Sequence, residues 1–284
     1  MLTANLIEPI VRAALTEDAP WGDLTCATVL PPSSAATADL VARTDGVLAG
    51  EAVFTAAFTL TDPAVQVTMA KEDGEYFAAG DALARVQGPA GAVLQAERIA
   101  LNLTQRLSAI ATATSRYVAA VAGTGVRIAD TRKTTPGMRV LERHAVRAGG
   151  GHNHRFGLSD AVMLKDNHLA VLGAAGQDLT EALRRVRRRL GHTVHMEVEV
   201  DRLDQIDAVL AAEVDTIMLD NFSLDHLRQG VALIDGRAIV EASGNVTLDT
   251  VTEIAATGVD VISVGALTHS VAALDLGLDV QVAP

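Results

Sequence analysis

From residue 126 onward the chain repeats one unit: a short run of β-branched and aliphatic residues, a polar loop, then a stretch at helical spacing. The patterning predicts strands over 126–129, 161–164, 194–200, 216–219, 238–240 and 261–264. It predicts helices over 179–190, 203–212, 224–234 and 248–256, the last closed by Thr257-Gly258. Short strands alternating with helices require a parallel sheet, because a parallel neighbour is reached only by a crossover. The residues at the strand ends decide whether that sheet is open or closed. An open doubly wound sheet collects functional groups at one crevice, whereas a barrel gathers them from every strand at its C-terminal rim. Here every predicted strand ends on charged or small polar groups: Asp130-Thr131-Arg132-Lys133, Lys165-Asp166-Asn167, Glu197 and Glu199, Asp220-Asn221, Glu241 to Gly244, and Val264-Gly265-Ala266. The expectation is an α/β barrel with fewer than eight strands, since about 160 residues is short for the full repeat.

The preceding half has a different period. Leu6, Ile7, Ile10, Val11, Ala14 and Leu15 outline an amphipathic helix over 5–17. Between 38 and 93, short β-type runs separated by Asp-Gly, Gly-Asp and Gly-Pro pairs read as strands and turns of a small sheet-containing unit. From 91 to 121 the pattern is helical, through Leu94, Arg98, Leu101, Leu103, Leu107 and Ile110, as one helix or two joined at Ser108.

The 284 residues carry 23 Lys and Arg against 35 Asp and Glu, a formal charge of −12, and only 3% are aromatic. That balance speaks against a nucleic-acid binder, which needs a basic surface and stacking rings. Any anionic substrate must be drawn by a local cationic site working against the global charge. With 49% hydrophobic and 20% charged residues the composition is globular. The uncharged apolar stretches at 52–61 and 117–126 end after ten residues, too short for a membrane span. Glu8, Glu17 and Asp18 interrupt any secretory pattern, and the single Cys26 allows neither an intramolecular disulfide nor a cysteine-rich zinc site, so the expected compartment is the cytoplasm.

Thr131-Arg132-Lys133-Thr134-Thr135-Pro136-Gly137 sets two cations and three hydroxyls directly after a strand. It reads as an anion site, with a planar fork for a carboxylate and a point charge for a phosphate; the competing reading is a solvated basic loop. Gly149 to Gly151, followed by His152-Asn153-His154-Arg155, permits close backbone approach to a ligand with His and Arg donors adjacent. The His-x-His spacing lacks the Cys or His partners a zinc site needs. Lys165 follows an apolar strand, and a partly desolvated lysine there must meet an anion. Glu197 and Glu199, two apart, point to one side of their strand; if that side is the interior, Glu199 reaches the mouth beside Asp220. Two rim carboxylates suit Mg²⁺ or sugar hydroxyls, while ion pairing to Lys165 is the plain structural alternative. Ser243-Gly244-Asn245 and Gly265-Ala266, ahead of helix starts at Thr247 and near Thr268, fit a backbone phosphate site, although tight turns look the same. The arginine run 184–189 lies on a predicted helix of an acidic protein and reads as a solvated outer face. No P-loop, dinucleotide-binding or serine-hydrolase motif is present.

Taken in order, these pieces resemble the quinolinate phosphoribosyltransferases. The likeness runs through Trp21 to Thr25, Ala96 to Leu103, Ser108 to Thr114, Asp130 to Gly137, Asn153-His154-Arg155, Lys165 to His168, Glu197 to Asp201, Leu219 to Asn221, Glu241 to Gly244 and Val264 to His269. The resemblance implies an N-terminal α/β sandwich over 1–107, with the tail 270–284 returning to it, and an incomplete α/β barrel over 108–269. It implies transfer of phosphoribose from 5-phosphoribosyl 1-diphosphate to quinolinate with Mg²⁺, releasing diphosphate and CO₂ and forming nicotinate mononucleotide for NAD synthesis. It also implies a homodimer in which Arg98 enters the partner's site. Arg132, His154, Arg155 and Lys165 match the family's quinolinate-side cations, and Lys133, Glu199 and Asp220 its ribose, diphosphate and Mg²⁺ groups. Ser243, Gly244 and Gly265 match its 5-phosphate site, with Thr131, Asn245, Val264 and Ala266 alongside. Arg132, Lys165, Glu199 and Asp220 carry the expected catalytic roles. Asn245 stands where relatives often have glycine. A phosphoribosyltransferase of the same fold acting on another pyridine carboxylate, or a molybdenum-system paralogue, is the nearest alternative. The segment Met69 to Gly74 resembles the turn of biotinyl or lipoyl carriers but lacks their residues flanking the lysine, and a carrier would not account for residues 126–269.

Overall fold

The structure is a computed structural model that describes residues 2–174 and 178–283. In chain order its elements are α1 (Ala4–Asp18), α2 (Leu24–Val29), β1 (Ala35–Ala42), β2 (Gly46–Val47), α3 (Glu51–Thr61), β3 (Gln66–Met69), β4 (Tyr76–Phe77), β5 (Ala82–Pro89), α4 (Ala90–Ala120), β6 (Arg127–Ala129), α5 (Arg139–Ala148) and β7 (Val162–Leu164). They continue with α6 (Asp166–Ala174), α7 (Leu179–Arg189), β8 (Met196–Val200), a 3-10 turn (Leu203–Gln205), α8 (Ile206–Leu210), β9 (Thr216–Asp220), α9 (Leu224–Ile234), β10 (Ile239–Ser243), α10 (Val251–Ala255), β11 (Val261–Ser263), α11 (Ala266–His269) and β12 (Leu276–Ala283). Two compact units result. One comprises Met1–Ser115, Thr134–Gly150 and Leu267–Pro284; the other comprises Arg116–Lys133 and Gly151–Ala266.

The first unit holds an antiparallel sheet in the order β12-β1-β5-β3. Alternation along β1 buries Ala36, Ala38, Leu40 and Ala42 on one face. The apolar stretch at 52–61 becomes α3, whose Phe54 and Phe58 are fully buried and meet edge to face at 5.0 Å. The 31-residue α4 is a single helix, about 46 Å long. Ser108 does not break it: its buried hydroxyl takes the N–H of Ala49 at 3.1 Å, and Thr112 takes that of Val47 at 2.8 Å. Asp73 lies in the lysine-bearing turn that resembles a carrier hairpin, and its carboxylate accepts from Gly50 N at 2.6 Å and Glu51 N at 3.0 Å. The turn thus caps α3. Gly149 packs on α4, where a Cβ would stand 2.3 Å from the Ala111 carbonyl oxygen. Close helix packing, rather than approach to a ligand, accounts for that glycine.

The second unit is built on six parallel strands in the order β6-β11-β10-β9-β8-β7. Strands β6 and β7 are consecutive in the chain yet occupy the two edges, so the incomplete barrel opens between them. His152 partly fills this seam by bridging Ala129 in parallel. The register Glu197 to Thr216, Glu199 to Met218, Glu241 to Met218 and Ser243 to Asp220 puts Glu197, Glu199, Met218, Asp220, Glu241 and Ser243 on one side of the sheet. The same alternation adds Met163 from β7 and Ser263 from β11.

Helices α5 and α6 have no counterpart in the sequence expectation. The expected helix at 203–212 divides into the 3-10 turn and α8, and that at 248–256 shortens to α10 because Thr247 and Thr250 close a turn, with Thr247 N donating to Thr250 Oγ1 at 3.0 Å. On α7, Arg187 pairs with Asp215 through two contacts of 2.7 Å and Arg188 with Glu181 at 2.8 Å, so part of the arginine run is engaged within this unit. No helix among the described residues is long and apolar enough to cross a membrane.

Candidate active site

The inward side chains and the strand-end loops of the second unit enclose a cavity of about 560 Å³. Thr131, Arg132, Lys133, His154, Arg155 and Lys165 line it from β6, the seam and β7. Glu199, Asp220, Asn221, Glu241, Ser243, Gly244 and Asn245 line it from β8, β9 and β10. Cations and carboxylates therefore face one space.

Asp130 builds the cationic side. Fully buried at the end of β6, it accepts from the side-chain amide of Asn153 at 2.6 Å and the main-chain N–H of His154 at 2.7 Å, while its own N–H donates to His152 O at 3.0 Å. The loop carrying His154 and Arg155 is thereby tied to the strand that delivers Arg132 and Lys133. The Arg155 guanidinium donates to Ala161 O at 3.1 Å; burial first, and then the Arg132 charge, hold its pKa below the usual arginine value. Lys165 forms an ion pair with Glu199.

Beneath them lies a buried trio. His154 Nε2 stands 3.1 Å from Glu197 and 3.4 Å from Glu241, and each of these carboxylates keeps one buried oxygen without a hydrogen-bond partner. The Arg155 main-chain N–H lies 2.7 Å from Nδ1, and Nε2 directs its proton between the carboxylates. Burial disfavours a charged imidazole, but hydrogen bonds and charge from Glu197 and Glu241 outweigh it and push His154 up to about 10; burial likewise raises Glu197. His154 and Glu197 are thereby both biased toward their protonated forms. The ligand atoms of the trio lie within 4.8 Å of one another, a spacing that would also admit a metal, yet in this arrangement the imidazole N–H fills the gap.

The raised pKa fixes the sign of a pH dependence. An imidazole that holds its proton up to about 10, as His154 does, against about 6.5 for a free one, contributes stability fully present below the lower value and lost as pH climbs through the upper. Thermal melting from about pH 7 to pH 10 is expected to show stability falling by up to about 1.4 kcal/mol per pH unit from this histidine. Glu241→Gln is expected to flatten that slope; equal slopes in the two proteins would contradict the assignment.

Most of the expected site residues come together in this cavity. Arg98 is exposed on α4 in the first unit, Val264 is buried, and Gly265 and Ala266 are half-buried; none of the four lines the cavity. Sequence reasoning passed over Met163, Met218, Asn221, Glu241 and Ser263 as lining residues. Alternation along β9 and β10 carried the signal for Met218 and Glu241, once the neighbouring register is known.

Residues 110–279 match the family described as Quinolinate phosphoribosyl transferase, C-terminal domain, and residues 23–108 its N-terminal domain. A probable nicotinate-nucleotide pyrophosphorylase [carboxylating] of Bacillus subtilis is 44% identical over 274 residues, covering 96% of this chain and 93% of its own. The corresponding enzyme of Mycobacterium leprae is 44% identical over 277 residues, covering 95% of each. The crystal structure of NadC from Streptococcus pyogenes superposes with a TM-score of 0.94 at 39% identity over 100% of this chain and 99% of that one. With both domains matched along nearly the whole length and the fold shared, the chain belongs to the quinolinate phosphoribosyl transferase family.

Proposed function

We infer that the chain transfers phosphoribose from 5-phosphoribosyl 1-diphosphate to quinolinate, giving nicotinate mononucleotide, CO₂ and diphosphate, a step of de novo NAD synthesis, and that it does so in the cytoplasm. The observation that carries this reading is the single cavity in which Arg132, Lys133, His154, Arg155 and Lys165 face Glu199 and Asp220. In a protein of formal charge −12, such a concentration of cations is a local exception suited to a small dianion and a diphosphate.

In this reading Arg132, Arg155 and Lys165 take the two carboxylates of quinolinate, and His154 fixes the floor beneath them. Lys133 meets the diphosphate or the ribose. Ser243, Gly244 and Asn245 stand at the end of β10 for the 5-phosphate, with Val264, Gly265 and Ala266 after β11. The ribosyl C1 leaves diphosphate through a cation-like centre, so the protein's part is to hold the weakly nucleophilic ring nitrogen in line and to stabilise the departing charge. Once ribosylated, the ring nitrogen is cationic and accepts the electron pair released when the adjacent carboxylate departs as CO₂; C2 then takes up a proton. Glu199 and Asp220 offer hard oxygen donors at the rim, which fits Mg²⁺ bound by one or two carboxylates together with substrate phosphates. When bound there, directly or through water, the ion supplies positive charge to the diphosphate. Arg98, exposed on α4, is assigned to the partner's site in a homodimer.

Incubation with quinolinate, phosphoribosyl diphosphate and Mg²⁺ is expected to yield nicotinate mononucleotide by chromatography, while nicotinate as acceptor yields none. Efficient use of nicotinate with no product from quinolinate would overturn the substrate assignment.

A further inference from the structure

The ends of β9 and β10 are locked together through the side chain of Asn221, which neither the expected site nor the mechanism uses. Asn221, directly after Asp220, has φ 57°, Gly244 has φ 100° and Asn245 has φ 50°. Two left-handed asparagines at one corner of a cavity, flanking a left-handed glycine, form an arrangement that surrounding contacts hold in place. Those contacts are visible. Asn221 N donates to Ser243 O at 2.9 Å, closing one strand end on the other. The Asn221 side chain lies so close over Gly244 that a Cβ there would stand 2.2 Å from Asn221 Oδ1 and 2.6 Å from its Cγ. Glycine is required at 244 by this amide as much as by its φ.

The amide has a fixed polarity. An ionised carboxylate only accepts, so the Asn221 NH₂ faces Asp220, donating to Oδ2 at 2.7 Å. The carbonyl end is then an acceptor, and Asn245 Nδ2 donates to it at 3.2 Å. A relay runs from Asn245 through Asn221 to Asp220, engaging one oxygen of Asp220 and leaving the other for a ligand in the cavity.

Resting on the proposed function, we propose that Asn221 is a positioning residue that acts through Asp220 on the phosphoribosyl donor and its metal ion, and that Asn245 acts in turn through Asn221. Asn245 thereby gains a role for its side chain, in addition to any contact its backbone makes. The relay touches none of the cations assigned to the pyridine dicarboxylate, so its loss falls on one substrate only.

The test compares Asn221→Ala, Asn245→Ala and their double variant with the unaltered protein, varying the two substrates separately. A second readout is the Mn²⁺ EPR signal titrated in the presence of phosphoribosyl diphosphate with quinolinate omitted, so that nothing turns over. Asn221→Ala is expected to raise both the donor KM and the Mn²⁺ dissociation constant about tenfold, the scale of one hydrogen bond to a charged group. The quinolinate KM is expected to stay within about twofold, Asn245→Ala to move the same two quantities about threefold, and the double variant to be no worse than Asn221→Ala, because groups acting in series are not additive. Asn221→Gly keeps the left-handed backbone without the amide and is expected to match Asn221→Ala. Four results would overturn the proposal: unchanged donor and Mn²⁺ binding, equal losses for both substrates, multiplying single effects, or normal behaviour of the glycine variant. If the unaltered protein fails to consume the donor with quinolinate, the functional reading falls instead, a separate outcome.

Discussion

Replacing Lys165 by alanine is expected to weaken quinolinate binding about a hundredfold, the equivalent of about 2.7 kcal/mol for a lost charge-assisted contact. Lys165 follows β7 at the cavity wall, paired with Glu199 and with a side chain 44% exposed. The exposure makes the ion pair itself a small contribution to folding, so the variant is expected to fold normally. Its loss acts twice on a dianionic ligand: one donor disappears, and Glu199 is left without the cation that offsets it, so like charge faces the incoming carboxylates. Calorimetric titration of quinolinate without the donor measures this directly. Arg132→Ala is expected to change binding in the same direction. If Lys165→Ala binds quinolinate normally yet loses turnover, the lysine moves a proton and does not merely orient and neutralise the substrate.

Mixing Arg98→Ala with Lys165→Ala, each inactive alone, is expected to restore activity. Arg98 is exposed on α4, which explains a charged residue within an otherwise apolar helical pattern if a second copy of the chain receives it. In a mixed dimer one of the two sites then has both Arg98 and Lys165, while the other lacks both. Random reassortment places half the protein in mixed dimers, so about a quarter of normal activity returns. Mixed dimers verified by mass but wholly inactive would show that each site is complete within one chain.

Much of this site is legible in the amino-acid sequence, for a physical reason. A barrel presents its chemistry where strands end, so Arg132, Lys165, Glu199, Asp220 and Ser243 can be read from the polar residues that interrupt each apolar run. The spacing of Glu197 and Glu199 also sets both on one side. Glu241 is legible only as part of a strand terminus, because its inward orientation depends on its partner Met218, and register is a property of neighbours rather than of one strand. Helices α5 and α6 escape for a related reason. The segments Thr131 to Gly137 and Lys165 to Asn167 read as polar strand-end loops, while α5 is held by tertiary contacts such as those of Glu142, which accepts from Arg106 at 3.0 Å and from the Thr135 hydroxyl at 2.8 Å. The buried trio carries no signal in composition at all. A histidine in a glycine-rich loop and two glutamates in separate strands meet through tertiary contacts, His152 bridging to Ala129 and Asp130 accepting from the His154 N–H.

In the proposed reaction this one cavity couples ribosylation of the pyridine nitrogen to loss of the neighbouring carboxylate. This coupling is tested most directly with quinolinate carrying ¹⁴C in its 2-carboxyl group. With phosphoribosyl diphosphate and Mg²⁺ present, ¹⁴CO₂ is expected to appear in step with diphosphate; without the donor, none is expected, because the uncharged ring has no electron sink. Release of ¹⁴CO₂ without the donor, or diphosphate formed with the label retained in the nucleotide product, would contradict that coupling.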